Sequence, residues 1–211
     1  MTPSGSELKA TSKPLLSAAF WAIKKNTAAL VMASGVFWLV APEARADGTF
    51  FQLDLAPHAS DAVLGATRGK MSFGANFSTY EGGWSAGAHV TRDFVIGDIA
   101  TLKVGPSIGS SDAMNGTKLG GKVIVERYQP TDFGFVFLSG QYNSIENDWF
   151  TLAQFGNGKG LSVDLTAGGS DTYSEQSVAV NYRFDDGPTS LRGGYRFDAQ
   201  EFFVGLSVNT Y

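Results

Sequence analysis

The chain has 211 residues, 16 basic and 20 acidic, a net charge of −4 and no cysteine. That length supports one domain with a sizeable core, the charge leaves no footprint for nucleic acid, and the missing thiols exclude disulfides and thiolate metal sites. The 26 glycines and 16 phenylalanines, with a mean hydropathy near zero, suit a barrel with two unlike faces and not a helical membrane protein.

Residues 1–46 read as a targeting segment. Lys24 and Lys25 precede an apolar run over residues 27–40. Ala44 and Ala46 then meet the small-residue rule, so cleavage after Ala46 is expected. The run is shorter than the ~18 apolar residues of a spanning helix, and an uncleaved anchor is the rival reading. A second apolar patch, residues 15–23, lengthens the region before the lysines. Cleavage removes five basic and two acidic residues and takes the net charge from −4 to −7.

From residue 47 onward a period of two dominates, the mark of strands with unlike faces. Residues 49–56 set Phe51, Leu53 and Leu55 against Gln52 and Asp54. Residues 61–67 alternate poorly. Residues 70–80 set Met71, Phe73, Ala75 and Phe77 against Ser72, Gly74, Asn76 and Ser78, and residues 84–94 set Trp84, Ala86, Ala88 and Val90 against Ser85, Gly87, His89, Thr91 and Asp93. Residues 99–108 oppose Leu102, Val104 and Ile108 to Thr101, Lys103 and Gly105. Residues 118–128 oppose Leu119, Val123 and Val125 to Lys122 and Glu126. Residues 133–142 are apolar on both faces, and residues 149–156 follow. Residues 161–168 oppose Val163 and Leu165 to Ser162 and Asp164. Residues 174–184 carry Val178, Val180 and Tyr182 against Asn181 and Arg183, and residues 189–197 carry Leu191, Gly193, Tyr195 and Phe197 against Arg192 and Arg196. No helical periodicity competes.

The last eleven residues, 201–211, alternate Phe202, Val204, Leu206, Val208 and Thr210 with Phe203, Gly205, Ser207, Asn209 and Tyr211. A strand closing on an aromatic, after an export signal, resembles the final strand of a bacterial outer-membrane β-barrel. Tyr211 stands one step out of phase with the apolar face.

Turn residues separate these stretches at intervals that read as an up-and-down meander. Eleven strands are clear, and the weak stretch 61–67 makes twelve. Barrels of this kind use even numbers, so the expected fold is an all-β transmembrane up-and-down antiparallel β-barrel of about twelve strands, over ten or eight. With the C-terminus in the periplasm, short connections near residues 185–188, 156–160, 129–132, 95–98 and 68–69 fall on that side. The longer ones, 109–117 and 169–173, fall outside. A soluble export-routed sandwich or lipocalin-like barrel is the rival, since alternation does not say which face meets lipid.

If the apolar face meets lipid, the polar face lines the interior with Asp54, Lys103, Lys122, Glu126, Asp164, Arg183, Arg192 and Arg196. Charges there must pair or stay wet. Their mixed signs point to a paired network that fills the barrel, with a selectivity lining as the sharper reading. Ser85, His89 and Asp93 share one strand face, but neighbours four apart are about 13 Å apart, too far for a triad. His58 sits beside Pro57 in a loop. No nucleophile elbow, phosphate loop or metal-ligand spacing is present. No catalytic residue, metal or cofactor is expected.

A further pattern lies in the middle of the chain. Residues 102–106 (LKVGP), 120–130 (GGKVIVERYQP), the strand 133–142 leading into 143–147 (NSIEN), and 169–173 (GSDTY) follow in that order. This order resembles the BcsS-type cellulose biosynthesis proteins of alphaproteobacteria over about residues 100–185. The resemblance implies an outer-membrane barrel with a non-enzymatic accessory role in making or exporting cellulose or a related exopolysaccharide. Its partners would be outer-membrane lipid, with polysaccharide or other envelope proteins as candidates. A small channel or structural porin is the alternative, and a lipid-modifying outer-membrane enzyme the second.

Overall fold

The structure, a computed structural model, describes residues 47–185 and 187–211. The targeting segment lies outside the described residues. Among the described residues, twelve strands follow one another without a helix: β1 (Gly48–Leu55), β2 (Ser60–Arg68), β3 (Met71–Tyr80), β4 (Gly83–Ile96), β5 (Ala100–Ser111), β6 (Lys118–Thr131), β7 (Gly134–Asn143), β8 (Asp148–Gly156), β9 (Leu161–Gly169), β10 (Ser174–Arg183), β11 (Thr189–Arg196) and β12 (Glu201–Asn209). Each pairs antiparallel with its sequence neighbours, and β1 pairs with β12, so the sheet closes on itself. Closure leaves no edge and gives every strand two partners.

The seam is set by Phe50↔Asn209 through Leu55↔Val204. The low-contrast stretch is a full strand, β2, paired from Ser60 to Arg68 with β3. Its alternation is faint because Ala62, Leu64 and Ala66 face Val63 and Gly65 across the same sheet. Pro106 lies inside β5, where it lacks an N–H, and the β4–β5 ladder skips Val90 and Thr91 opposite it.

Burial decides which face is which. Among the described residues, six apolar side chains are buried against sixteen polar or charged ones, including Asp54, Asp164, Arg192 and Arg196. Large apolar residues stand exposed all round the outside, from Phe94 and Leu119 to Phe202 and Val204. A water-soluble fold does the reverse. The polar face is therefore the interior, and the outside is the apolar belt of a membrane barrel. This removes the soluble sandwich, which would bury the Phe and Trp face.

One rim carries the start of β1, the end of β12 and the connections 69–70, 97–99, 132–133, 157–160 and 184–188. It is called the lower rim below. The upper rim carries 56–59, 81–82, 112–117, 144–147, 170–173 and 197–200. The longest connection, 112–117, is on the upper rim, as the meander predicts.

Candidate functional site

The interior is the candidate site. Alternation points every second residue inward, and hairpin register fixes which of them become neighbours. Asp54 on β1 and Asp61 on β2 face each other across a strand pair, an arrangement of like charges that is costly alone. A different arginine takes each one. Arg192 on β11 places Nε 2.9 Å from Asp54 Oδ1 and Nη1 3.4 Å from Asp164 Oδ2. Its Nη1 also donates to Gln52 Oε1 at 2.6 Å. Arg196 pairs with Asp61 and, at 3.4 Å, with Glu201. Gln52 and Gln154 donate to the free oxygens of Asp54 and Asp164, each at 2.8 Å. Phe203 lies between the two guanidinium groups, 5.7 and 5.3 Å from its ring centre. The Arg192–Asp54 pair is electrostatic in character, since Nε and Oδ1 lie close without the alignment of a hydrogen bond.

A second group sits across the barrel. Lys103 on β5 pairs with Glu126 on β6 at 2.8 Å. Lys122 is buried, with Asp148 as its electrostatic counter-charge. A relay of hydroxyls runs along the lower rim. Ser72 donates to Asp93 (2.8 Å), so it accepts from Thr67 (3.0 Å), which in turn accepts from the Tyr211 hydroxyl (3.0 Å). The out-of-phase terminal aromatic thus turns inward and ties β12 to β2, β3 and β4.

Of the eight inward charges expected from the sequence, Asp54, Asp164 and Arg192 meet in one cluster, and Arg196 anchors the adjoining one. Lys103 and Glu126 form a separate pair. Arg183 stands exposed at the lower end of β10, one inward step beyond Asn181. These pairs run along the wall in two groups rather than across the bore. Asp61 and Glu201 are essential to them and were not read from the sequence. A hairpin rule could have found both, since Asp54↔Asp61 and Arg196↔Glu201 are register partners.

The wall that holds Lys122, Glu126 and Asp148 also carries aromatic and apolar side chains. From β6 to β8 it carries Tyr128, Phe135, Phe137, Ile124, Leu152 and Phe150, paired inward through Tyr128↔Phe137 and Ser139↔Leu152. Tyr128 stacks on Phe135 at 5.6 Å. Four inward rings lie against the wall. Phe135 lies over Gly156, Phe203 over Gly194, His89 over Gly74 and Tyr211 over Gly48, in space that a Cβ on the glycine would claim.

The upper mouth is partly covered by the connection 144–147. Ile145 is buried against Gly109 and Gly120, and Ser144 accepts the Gly121 N–H at 2.9 Å. Glu146 and Asn147 adopt left-handed φ of 55° and 50° to make the bend.

No catalytic set assembles around His89 among the described residues. Ser85 and Asp93 lie four residues away on the same strand, and His89 makes no hydrogen bond. No group of histidine and carboxylate side chains there is arranged to hold a metal.

No protein-family model and no curated protein matches the chain. Among solved structures it resembles a KdgM porin, alone and in complex with disordered oligogalacturonate. Both comparisons give a TM-score of 0.52 at 9% identity, covering 78% of this chain and 99% of that one. A NanC porin gives 0.49 at 13% identity, covering 77% and 99%. The KdgM likeness shows a shared fold, a closed antiparallel β-barrel.

Proposed function

We propose that this chain is an outer-membrane barrel, non-enzymatic, that contacts a saccharide chain during the making or export of an exopolysaccharide. Cellulose is the candidate to which the middle-chain resemblance points. One observation carries the reading: inward aromatic side chains gather on β6 to β8, and the arginine–carboxylate clusters gather on the wall formed by β9, β11, β12, β1 and β2. Pyranose rings present apolar C–H faces flanked by hydroxyls. The negative faces of Tyr128, Phe135, Phe137 and Phe150 suit the first, and the carboxylates, amides and guanidiniums opposite suit the second. Phe135 and Phe150 lie against Gly156 and Gly168, which leaves room beside them for an extended strand of sugar. A barrel of twelve strands is intermediate between side-chain-filled cans and wide porins.

The test is a planar bilayer holding the purified barrel, with cello-oligosaccharide added on one side. Brief current blockades that lengthen with oligosaccharide length are expected. They should shorten in Phe137→Ala. The porin fold favours a second reading, a channel for small solutes with no preference for sugar chains. Conductance without blockades would support that reading and overturn the first. A silent barrel that also fails to bind cello-oligosaccharide would overturn both.

A further inference from the structure

The outer surface carries an observation of its own. Among the strand residues that point outward, three are charged, and all three are arginines: Arg68, Arg92 and Arg127 on β2, β4 and β6. No carboxylate shares that face. All three lie towards the lower rim. Arg68 ends β2 beside the turn at Gly69, Arg92 pairs with Met71 at the start of β3, and Arg127 is four residues from the end of β6.

Arg127 stands at the foot of a groove of about 670 Å³. The groove floor is made of small outward residues, Gly140, Thr151, Ala153 and Ala167, on β7, β8 and β9. Ile99, Val125, Leu138 and Leu165 also line it. Nothing comes within 4 Å of where a Cβ on Gly140 would be, so the floor is open. The Arg127 guanidinium has five N–H donors and gives one to Gln129 Oε1, at 3.0 Å.

We propose that this groove is a binding site for one phospholipid of the periplasmic leaflet, its phosphate on Arg127 and an acyl chain along Gly140, Thr151, Ala153 and Ala167. The inference rests on the outer-membrane reading above. Charge complementarity selects the occupant. A planar guanidinium with free donors fits phosphate oxygens in a forked geometry, and its long stem reaches from an apolar belt to the headgroup level. A groove lined by small residues and leucines offers an acyl chain more contact than a flat surface would. A second copy of this chain would bring another arginine-rich, carboxylate-free face to the same place, and like charges oppose that.

The barrel would be purified from membranes in detergent, titrated with dioleoyl phosphatidylglycerol and weighed intact by native mass spectrometry. One lipid per barrel at low lipid is expected. Arg127→Ala should weaken that first adduct about tenfold or more, the worth of a charge-assisted hydrogen bond. Ala153→Phe, which fills the groove on the outer face, should remove it. Arg68→Ala, on β2 and away from this groove, should keep it. Equal adducts in wild type, Arg127→Ala and Ala153→Phe would overturn the site, as would dimers replacing lipid-bound monomers. A protein that stays monodisperse without detergent would overturn the membrane reading itself, a result distinct from a detergent-requiring barrel that takes no lipid.

Discussion

Replacing Arg192 with methionine removes one cation from between two buried carboxylates. Arg192 is 8% exposed, and Asp54 and Asp164 are each 4% exposed. The variant keeps much of the side-chain volume and leaves Gln52 and Gln154 as the remaining donors. If this wall is dry, breaking a buried pair from one side costs about 3–5 kcal/mol, because the orphaned carboxylates keep their desolvation penalty. If bore water reaches it, the loss falls to about 1 kcal/mol or less. Burial favours the larger figure. The assay is urea unfolding of the barrel in lipid vesicles, followed by fluorescence of Trp84 and Trp149, which both face outward. A fall of at least about 3 kcal/mol is expected. Recovery of most of it is expected when Asp54→Asn and Asp164→Asn are added, since deleting both sides of a pair is nearly neutral. A loss under about 1 kcal/mol, or no recovery in the triple variant, would refute the dry, paired wall.

Gly194→Val should destabilise the barrel by about 1–3 kcal/mol by driving its side chain into Phe203 and the Val178 carbonyl. Gly140→Ala, in open space, should be near neutral in the same urea assay. Tyr211→Phe should cost about 1 kcal/mol, the net worth of one hydrogen bond, and should speed amide exchange at Thr67 and Ser72 without affecting the upper rim. Asp112, on the upper rim, accepts from the Tyr80 hydroxyl at 2.8 Å and the Trp84 N–H at 3.0 Å. These bonds hold its carboxyl below its ordinary value of 3.8. A lowered folded value means the anchor is intact above pH 3.8 and is lost as pH falls through that lower value. Amide exchange at Trp84 should therefore accelerate only below pH 3.8, and Asp112→Asn should abolish that pH response.

The architecture was legible because a barrel wall repeats one rule. Phe51, Phe73, Val123, Leu165 and Phe202 each occupy the phase that their neighbours predict, and short turns force consecutive strands to pair. The interior charges were legible for the same reason, as Asp54, Asp164 and Arg192 stand opposite apolar residues. Their partners were harder to read. Arg192 reaches two strands in each direction and Arg196 reaches β2 across the seam, and that reach depends on stagger and closure, which no local pattern records. Asp61 was hidden in a strand of small residues where neither face stands out. Ile145 looked like part of a loop, and only the glycines beneath it show that it is seated in the mouth. The phase of Tyr211 was visible, but its meaning came from the hydroxyl relay it completes.

The flat-lying rings make the bore a property of position pairs. Each ring fills a hollow that the adjoining strand leaves by omitting a side chain. How far each of these rings reaches inward is therefore encoded jointly, and neither member can drift alone. Enlarging a glycine would swing its ring towards the axis and act as a constriction, although no residue of the passage itself had changed. Exchanging the two members, as in Gly156→Phe with Phe135→Gly, would shift the ring one strand sideways and preserve the width. A lineage can thus rearrange which strand carries an aromatic while holding its calibre fixed. Calibre and charge then become separately adjustable, the one through glycines and rings, the other through Arg192, Arg196 and their carboxylates.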